Sequence, residues 1–501
     1  MSRRTPAVWL ALPVLVAGLA VLGGDTPQTI TRRVTPGDRE RDRFVYVPFD
    51  VSERTTELRV RYEYDRANGR NTVDLGILEP GSLAIGTTAM RGYSGGSKTE
   101  VRIGEHQATP GYKAGPLPAG RWHVMLGLYA VAQPGVDVTI TVEHRTGNPE
   151  RGTPNPEPER GTRNPEPERG TRNPEPGTRN AEPERGTRNR EPGTSRWWTG
   201  ALHAHTVHSD GAVSALDLLR RVGEAKLDFV TITDHNNTTH VEEVFRGERQ
   251  SLAAPLWIVG EEVTTPAGHA NVWGLEPGEW VDFRVRPQDR RINELANTAH
   301  RHGALFSINH PSSECVGCSW QHEIPEALDA IEVWNGRHGA QDKAVALWER
   351  LLREGRRVTA VGASDWHRDP GPIDNANVRV LAPDLSERAI LEAIRSGRVI
   401  VMRSAADATP DFTVASGEHS ATVGESLTRA ASPATIEVRA PGVNHGHVVF
   451  VVNGTRLPSI PLRDGTPARV ERVLDPGFVR AEVYAADGAL VALTNPVFIT
   501  R

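Results

Sequence analysis

The stretch His203-Ala-His-Thr-Val-His-Ser-Asp-Gly211 brings histidines and a carboxylate into one short segment. Two later stretches, Thr233-Asp-His235 and Ser364-Asp-Trp-His367, again combine histidine with a carboxylate. Twelve of the chain's 18 histidines lie between residues 203 and 367. Because neutral imidazoles and carboxylates are the usual protein ligands of zinc, manganese and iron, we expect this region to hold a metal centre.

The same residue types recur where strands are predicted to end. Strand-like apolar runs cover 228–233, 256–259, 304–308, 330–334 and 357–361. His235, Glu262 and His310 follow or close the first three runs, and Asp365 and His367 follow the last. In a parallel α/β barrel the carboxyl ends of the strands meet on one face. We therefore expect side chains that are distant in sequence to share metals.

Amphipathic helices are predicted between these strands. They cover 214–225, 290–302, 341–354 and 386–395. In the third helix Ala344, Leu347, Leu351 and Leu352 form an apolar stripe at helical spacing, which we interpret as core. Repeated strand–helix units predict a parallel sheet, either open or closed into a barrel.

The segment before this region is predicted to be a β-sandwich. Residues 34–147 contain alternating apolar and polar stretches at 58–64 and 136–142, with turn residues between them. Such alternation is typical of half-buried strands, and a sandwich or jelly roll accommodates it.

The segment after it, residues 406–501, returns to β character. Asn453-Gly454 and Asp487-Gly488 are pairs that favour tight hairpin turns. An immunoglobulin-like sandwich is the predicted fold.

Residues 148–195 differ sharply in composition. Copies of Arg-Asn-Pro-Glu-Pro-Glu-Arg-Gly-Thr, as at 163–171, supply almost no apolar side chains. Without them no core can offset chain entropy, so we predict a disordered, proline-stiffened linker between 34–147 and 196–405.

The first 24 residues are typical of an export signal. Arg3 and Arg4 precede an apolar run from Val8 to Leu22, which is shorter than the roughly 20 residues that span a bilayer. We expect cleavage, no membrane span in the mature chain, and a secreted, periplasmic or cell-surface location. An uncleaved anchor is the alternative.

Composition argues against a nucleic-acid partner. The chain has 63 acidic and 58 basic residues, a formal net charge of −5, so it lacks the basic excess that binds a polyanion. Its only two cysteines, Cys315 and Cys318, allow a short-loop disulfide in an exported protein, which we favour. Half of a zinc site with His322 is the alternative.

Together the motifs HxHTxxSDG, TDH, GxE, a following histidine, NHP and SDxH resemble the signature of the PHP (polymerase and histidinol phosphatase) metallohydrolases. Arg91-Gly-Tyr-Ser-Gly-Gly96, Ala108-Thr-Pro-Gly-Tyr112 and Leu493-Thr-Asn-Pro496 resemble its CehA/McbA-like, or carbaryl-hydrolase-like, branch. The resemblance implies a multidomain protein in which a distorted (β/α)7 barrel at 196–405 is flanked by the two β-sandwiches.

The resemblance also implies two or three divalent transition metals, Zn, Mn or Fe. His203, His205 and Asp365 would hold the first; Glu262, His269 and His310 the second; Asp210, His235 and His367 the third. The GxE spacing selects Glu262 over Glu261 as the bridging ligand, and catalysis is expected to involve Glu262, Asp365 and His310. Asp234 would orient a ligand.

The expected reaction is hydrolysis of a small-molecule phosphoester by a metal-bridging hydroxide. Arg337 and Arg368 lie beside the motifs and could clamp a phosphate, although surface arginine is the simpler interpretation. One alternative is a carbamate or ester hydrolase with the same metal site. Another, of a different class, is a secreted glycan- or surface-binding protein whose metal cluster is structural.

Overall fold

A computed structural model describes residues 27–147, 195–248 and 255–501, apart from 87, 316, 337, 338, 341 and 464. The predicted export signal and all but the last residue of the predicted linker lie outside the described residues. Among the helices that are described, none is long and apolar enough to cross a membrane. The chain is multidomain and rich in β-sheet.

The first part of the described chain is built from two antiparallel four-stranded sheets. Its elements are β1 (Gln28–Val34), α1 (Pro36–Arg41), β2 (Phe44–Val51), β3 (Thr55–Glu63), β4 (Thr72–Leu78), β5 (Met90–Tyr93), β6 (Glu100–Gly104), β7 (Gly120–Ala130) and β8 (Val136–Thr146). The strand orders are β1-β8-β3-β6 and β2-β7-β4-β5. Alternate residues of β8 from Val136 to Val142 are buried, which confirms the alternation read from the sequence.

The central part alternates strands and helices. Its elements are β9 (Arg196–Ala201), α2 (Ala215–Glu224), β10 (Phe229–Ile232), α3 (His240–Glu248), β11 (Leu256–Thr265), β12 (Gly268–Trp273), α4 (Ile292–Arg301), β13 (Leu305–Ile308), β14 (Ala330–Asn335), β15 (Gly339–Ala340), α5 (Asp342–Arg353), β16 (Thr359–Ala363), β17 (Asn377–Ala382), α6 (Glu387–Arg395) and β18 (Val399–Met402). Helix α2 begins where the Ser214 hydroxyl accepts the Asp217 N–H, and its buried face includes Leu218 and Val222. The predicted strands and helices of this region are confirmed to within a few residues, except that β11 continues six residues beyond the predicted run 256–259.

The central sheet is mixed, with the pairing order β17-β9-β10-β11-β12-β13-β14-β16. Pairings are parallel within β9-β10-β11 and within β13-β14-β16. They are antiparallel where β12 joins these two halves and where β17 joins β9. The prediction of a parallel sheet is therefore right for each half and wrong for β12 and β17. The (β/α)7 barrel stays a prediction.

Strand β11 corrects one detail of the sequence analysis. Glu262 was expected to close this strand, but the strand continues to Thr265 and turns back into β12. Parallel pairing with β10 ends at Val259, because β10 itself ends at Ile232. Beyond that point β11 pairs with β12, so Glu262 lies inside a hairpin, while the Glu262 N–H donates to the Asp234 carbonyl and its own carbonyl accepts the Asn236 N–H.

The last part is again made of β-strands. They are β19 (Asp411–Ser416), β20 (His419–Ala421), β21 (Ser426–Thr428), β22 (Ala434–Arg439), β23 (His447–Val452), β24 (Thr455–Arg456), β25 (Ile460–Pro461), β26 (Ala468–Arg472), β27 (Gly477–Tyr484), β28 (Leu490–Thr494) and β29 (Val497–Thr500). One sheet has the order β20-β19-β22-β26, and a second is centred on β23 and β27. The predicted Asn453-Gly454 turn is confirmed between β23 and β24, with positive φ at both residues. Strand β28 pairs with β18 and so continues the second sheet into the central part.

The two sheets built from β1 to β8 enclose one buried core and form the first β-sandwich, which packs against the loop that follows β9. Lys98 Nζ donates to the carbonyl oxygens of Val207 and Ser209, at 2.9 and 3.1 Å. The Gly111 N–H donates to His208 Nδ1 at 3.2 Å. These bonds bring the sandwich directly beside the His203–Asp210 motif.

Candidate metal centre

Two loops that carry predicted ligands are bonded to each other through their backbones. The His205 N–H donates to the Trp366 carbonyl and the Ala212 N–H donates to the His367 carbonyl, both at 2.8 Å. The loop after β9 and the loop after β16 are thereby held side by side, although about 160 residues separate them in sequence. This explains how the first and last motifs reach one place.

Asp234 fixes the loop after β9 from a third side. Its carboxylate accepts hydrogen bonds from the Thr206 and Ser209 hydroxyls, at 2.7 and 2.6 Å, and lies 3.2 Å from His240 Nδ1. The carboxylate is fully buried. It therefore positions the loop that carries His205 and does not itself reach the proposed ligand atoms.

His203, His205 and Asp365 form one group of potential ligand atoms. Asp365 Oδ1 lies 3.5 Å from His203 Nε2 and 3.3 Å from His205 Nε2. The two imidazole nitrogens are 3.0 Å apart. This is the set that the family resemblance implied for the first metal.

A second group is centred on Glu262. Its Oε1 lies 3.2 Å from His269 Nδ1 and 3.4 Å from both His203 Nε2 and His310 Nε2. Its Oε2 lies 2.7 Å from His235 Nδ1. Each oxygen of the carboxylate thus faces a different set of imidazoles, which is the arrangement that a bridging ligand requires.

The third group contains Asp210, His235 and His367, with His205 beside them. Asp210 Oδ1 lies 3.2 Å from His367 Nε2 and 3.5 Å from His235 Nε2. His205 Nδ1 is 3.9 Å from the same oxygen. His205 therefore connects this group to the first one, and all nine predicted ligands lie in one continuous cluster.

Several ligand atoms of the cluster are buried without a hydrogen-bond partner among the described residues, and a bound metal would satisfy them. Asp210 Oδ1, Glu262 Oε2 and His269 Nε2 are buried, yet none has a hydrogen bond of normal geometry to any described residue. Buried polar atoms without partners are costly, so several at one point call for a ligand that satisfies them. Imidazole and carboxylate donors suit zinc, manganese or iron.

Burial and the neighbouring carboxylates act in opposite directions on the pKa values of the cluster histidines. Burial alone would lower the pKa of His203, but the Glu262 and Asp365 carboxylates raise it well above its usual range. At His235, burial likewise lowers the pKa, but the Glu262 and Asp210 carboxylates outweigh it and raise the pKa to about 9. Burial and the neighbouring imidazoles lower the pKa of His205 to about 4. Metal binding would displace the protons from His203 and His235.

Glu261 points away from the cluster. Side chains alternate along a strand, so adjacent glutamates of β11 face opposite sides. Glu261 Oε2 accepts the Val281 N–H at 2.7 Å, and burial raises the pKa of Glu261 to about 8. The structure thus places Glu262, and not Glu261, among the histidines.

Sequence reasoning missed three residues that hold ligands in place. Glu332, in the middle of β14, accepts the His310 N–H at 3.0 Å and lies 3.5 Å from His203 Nδ1. Asn309 donates to Glu262 Oε1 at 3.1 Å, and Asn335 donates to Glu332 at 2.9 Å. The acid inside the apolar run 330–334 was the one available signal for Glu332.

Cys315 and Cys318 are joined as a disulfide, in agreement with the favoured interpretation. Cys318 Sγ also lies close to His269 and His310, but a sulfur in a disulfide has no thiolate to offer a metal. His322 Nε2 is instead 3.1 Å from the Thr265 hydroxyl, so the alternative zinc site with His322 is not assembled.

The two predicted phosphate-binding arginines have different outcomes. Arg337 lies outside the described residues. Arg368 is exposed, and its Nη2 donates to the Asp210 carbonyl at 3.1 Å, which places it beside the cluster. His208 and His240 lie beside the cluster and are buried: His208 Nδ1 accepts the Gly111 N–H at 3.2 Å, and His240 Nδ1 lies 3.2 Å from the Asp234 carboxylate.

No family model and no curated protein matches the chain. A two-domain protein from Bacteroides vulgatus, described as containing a predicted PHP-like metal-dependent phosphoesterase, is 19% identical and matches with a TM-score of 0.37 over 62% of this chain and 100% of that chain. A protein from Bifidobacterium adolescentis assigned as a metal-dependent phosphoesterase is 16% identical, with a TM-score of 0.28 over 39% of this chain and 96% of that one. An amidohydrolase from Chromobacterium violaceum is 16% identical, with a TM-score of 0.26 over 35% of this chain and 89% of that chain. Similarity at this level does not assign the chain to a family.

Proposed function

We propose that the chain is an exported metal-dependent hydrolase of the PHP type, with a central (β/α)7 barrel, and that it hydrolyses small-molecule phosphoesters at two or three divalent metals. The observation that carries this proposal is the continuous cluster of nine histidine and carboxylate side chains, centred on Glu262. Export is supported by the sequence pattern of residues 1–24.

Three features of the cluster fit catalysis by bound metals. Zinc, manganese or iron held here would activate water and neutralise charge on a phosphate. Glu262 would join two of the metal positions, since its oxygens face different imidazoles. His205, which lies near Asp210, and Asp365, which lies 3.4 Å from His367, would join the first position to the third. Glu332 would keep His310 oriented through its backbone N–H.

The remaining protein groups would bind, orient and shield the reactants. In the reaction the oxygen of water bonds to phosphorus, the bond from phosphorus to the alcohol oxygen breaks, and the alcohol leaves with one proton of the water. Arg368 lies beside Asp210, where an arginine could meet a phosphate oxygen. Asn309 holds Glu262 Oε1, which limits the movement of that carboxylate as charge changes.

An open cluster argues against a purely structural role. Structural zinc sites are closed by four protein ligands, whereas catalytic sites keep a position open. Here Asp210, His235 and His269 line a cavity of about 390 Å³. A substrate of small-molecule size fits such a space.

The test is a substrate screen on the metal-loaded protein, residues 25–501. Nitrophenyl phosphomonoesters, nitrophenyl phosphodiesters and naphthyl carbamates are compared side by side. We expect turnover of phosphoesters, lost in Asp365→Asn and retained in Asp369→Asn, a nearby acid that is exposed and pairs with Arg221. Turnover of the carbamate alone would support the carbamate hydrolase instead. If no substrate reacts although metals are bound, the structural role is favoured.

A further inference from the structure

Cys318 lies beside the second group of ligand atoms but belongs to none of the three predicted metal positions. Its Sγ and one imidazole nitrogen each of His269 and His310 lie within 4.8 Å of one another. His269 Nε2 is buried and has no hydrogen bond of normal geometry to any described residue. The disulfide withholds the sulfur, because only a thiolate binds a metal. The oxidation state of one bond therefore decides whether a sulfur ligand is present at this point.

The loop that carries the disulfide is also held in place by bonds that do not involve sulfur. The Gly268 N–H donates to the Gly317 carbonyl at 2.9 Å, and these two glycines directly precede His269 and Cys318. The Gln321 N–H donates to the backbone of the same β11–β12 turn at 2.8 Å. Because these bonds survive reduction, Cys318 should keep its place beside His269 when the disulfide is opened.

The two sulfurs of the disulfide differ in their exposure. Cys315 is exposed, whereas Cys318 is 8% exposed and lies on the side of the cluster. A dithiol therefore attacks at Cys315: one of its sulfurs bonds to the Cys315 sulfur, the disulfide bond breaks, and Cys318 leaves with the electron pair. The second sulfur of the dithiol then displaces Cys315, so the dithiol becomes a cyclic disulfide. One of its protons passes to Cys315 and the other to solvent, which leaves the Cys318 sulfur able to bind a metal.

We infer that Cys318 becomes a fourth protein ligand of the second metal position when the Cys315–Cys318 disulfide is reduced, and that the disulfide keeps this position open. The inference rests on the proposed metal-dependent hydrolase for the other three ligands, Glu262, His269 and His310. Four protein ligands of these types close a tetrahedral site, whereas a catalytic metal keeps a position for water or substrate. Ligation by Cys318 therefore lowers turnover.

This redox dependence fits the proposed export of the chain. Reducing compartments keep thiols reduced, and exported proteins meet oxidising conditions in which disulfides persist. The second position is then closed by sulfur where the chain is made and opened by oxidation after export. A hydrolase controlled in this way spares the phosphoesters of the compartment in which it is synthesised.

The test is spectroscopic, so it does not depend on turnover. Residues 25–501 are stripped with chelator and reconstituted with cobalt(II) without air, and bound cobalt is counted by native mass spectrometry. A sulfur bound to cobalt(II) gives an intense charge-transfer absorption in the near ultraviolet, which nitrogen and oxygen ligands do not give. We expect this absorption in protein that has been reduced with dithiothreitol and desalted, and not in the oxidised protein.

Two single variants form a matched pair, because each removes the disulfide but only one keeps the sulfur beside the cluster. Cys315→Ser should show the absorption without any reductant, and Cys318→Ser should not show it in either state. In a chelator titration, Cys315→Ser should hold one metal at least about tenfold more tightly than Cys318→Ser, since even a residue that only supports a ligand commonly changes metal affinity by about 10–100-fold. If Cys315→Ser does not fold, the reduced wild type provides the same measurement.

The outcomes separate this inference from the proposed function. Bound cobalt without the absorption, in both the reduced wild type and Cys315→Ser, overturns the inference and leaves the metal-dependent hydrolase standing. The same absorption in Cys318→Ser would assign the sulfur to Cys315 and also overturn it. Unchanged turnover of nitrophenyl phosphate in reduced protein that shows the absorption overturns the closing of the position. Failure of cobalt to bind in any state overturns both the inference and the proposed function.

Discussion

Glu262 and Glu261 are adjacent on β11, and their replacement by glutamine should have very different effects. Glu262→Gln removes the charge of a carboxylate that lies within 2.7–3.5 Å of five histidine side chains. Glu261→Gln changes a buried side chain of the same type that faces the Val281 N–H on the other side of the strand. The pair is thus a matched comparison within one strand.

The magnitude follows from the number of contacts. Loss of a single residue that only supports a ligand commonly lowers metal affinity by about 10–100-fold. Glu262 is a proposed ligand that joins two positions, so the loss should be at least about 100-fold, or roughly 2.7 kcal/mol, at each of them. The third position would still be held by His205, Asp210, His235 and His367, none of which is changed. Glu262→Gln should therefore retain one metal, whereas Glu261→Gln should retain as many as the wild type.

The assay is dialysis against increasing concentrations of chelator, followed by elemental mass spectrometry of metal per chain. Circular dichroism on the same samples checks that each variant is folded. The reasoning is refuted if Glu262→Gln keeps its metals at the same chelator concentration as the wild type. It is also refuted if Glu261→Gln loses metals while Glu262→Gln does not.

Three further predictions concern stability and domain contact. Burial raises the pKa of Asp74 from 3.8 to about 6, so ionisation of this carboxyl group costs nothing below about pH 4 and destabilises the fold increasingly up to about pH 6. In urea unfolding, Asp74→Asn should therefore be about 3 kcal/mol more stable than the wild type at pH 7 and little more stable at pH 4. An equal gain in stability at both pH values would contradict this prediction. Arg480 is 1% exposed and bonded to Glu349 and Glu482, so Arg480→Leu should lower the free energy of unfolding by about 3–5 kcal/mol in thermal unfolding. Arg439 forms an exposed ion pair with Glu437 on β22, so the control Arg439→Leu should lower it by less than about 1 kcal/mol. Trypsin cleavage between 148 and 194 should leave two fragments that co-elute on a sizing column, because Lys98 and the Tyr93 ring bind the sandwich to the central part. Separate elution of the fragments would show that this contact is weak.

The elements of the central part could be predicted because their local patterns match their surroundings. Helix α2 has a serine cap and apolar residues at helical spacing, and β13 is a short apolar run. His235, His310 and Asp365 could be found because they follow the ends of such runs. Local pattern and position in the sheet agree for these elements, so the sequence alone was sufficient.

The rest depends on pairings that no local pattern reports. Strand β12 contains a histidine and an asparagine, and both of its faces are buried, so it shows neither alternation nor a continuous apolar run. Glu332 is a single acid inside an apolar strand, and only its contacts with His203 and with the His310 N–H reveal a role. The contact of Gly111 with His208 joins segments about 100 residues apart, so the position of the sandwich beside the cluster could not be assigned from sequence.

The central claim is that the clustered histidines and carboxylates hold metals, and a metal count tests it most directly. Purified residues 25–501 are stripped with chelator, reconstituted separately with zinc, manganese or iron, desalted and weighed by native mass spectrometry under conditions that preserve bound ions. We predict two to three metals per folded chain with at least one of these ions, and fewer in Glu262→Gln. One metal or none per folded chain with every ion would contradict the account.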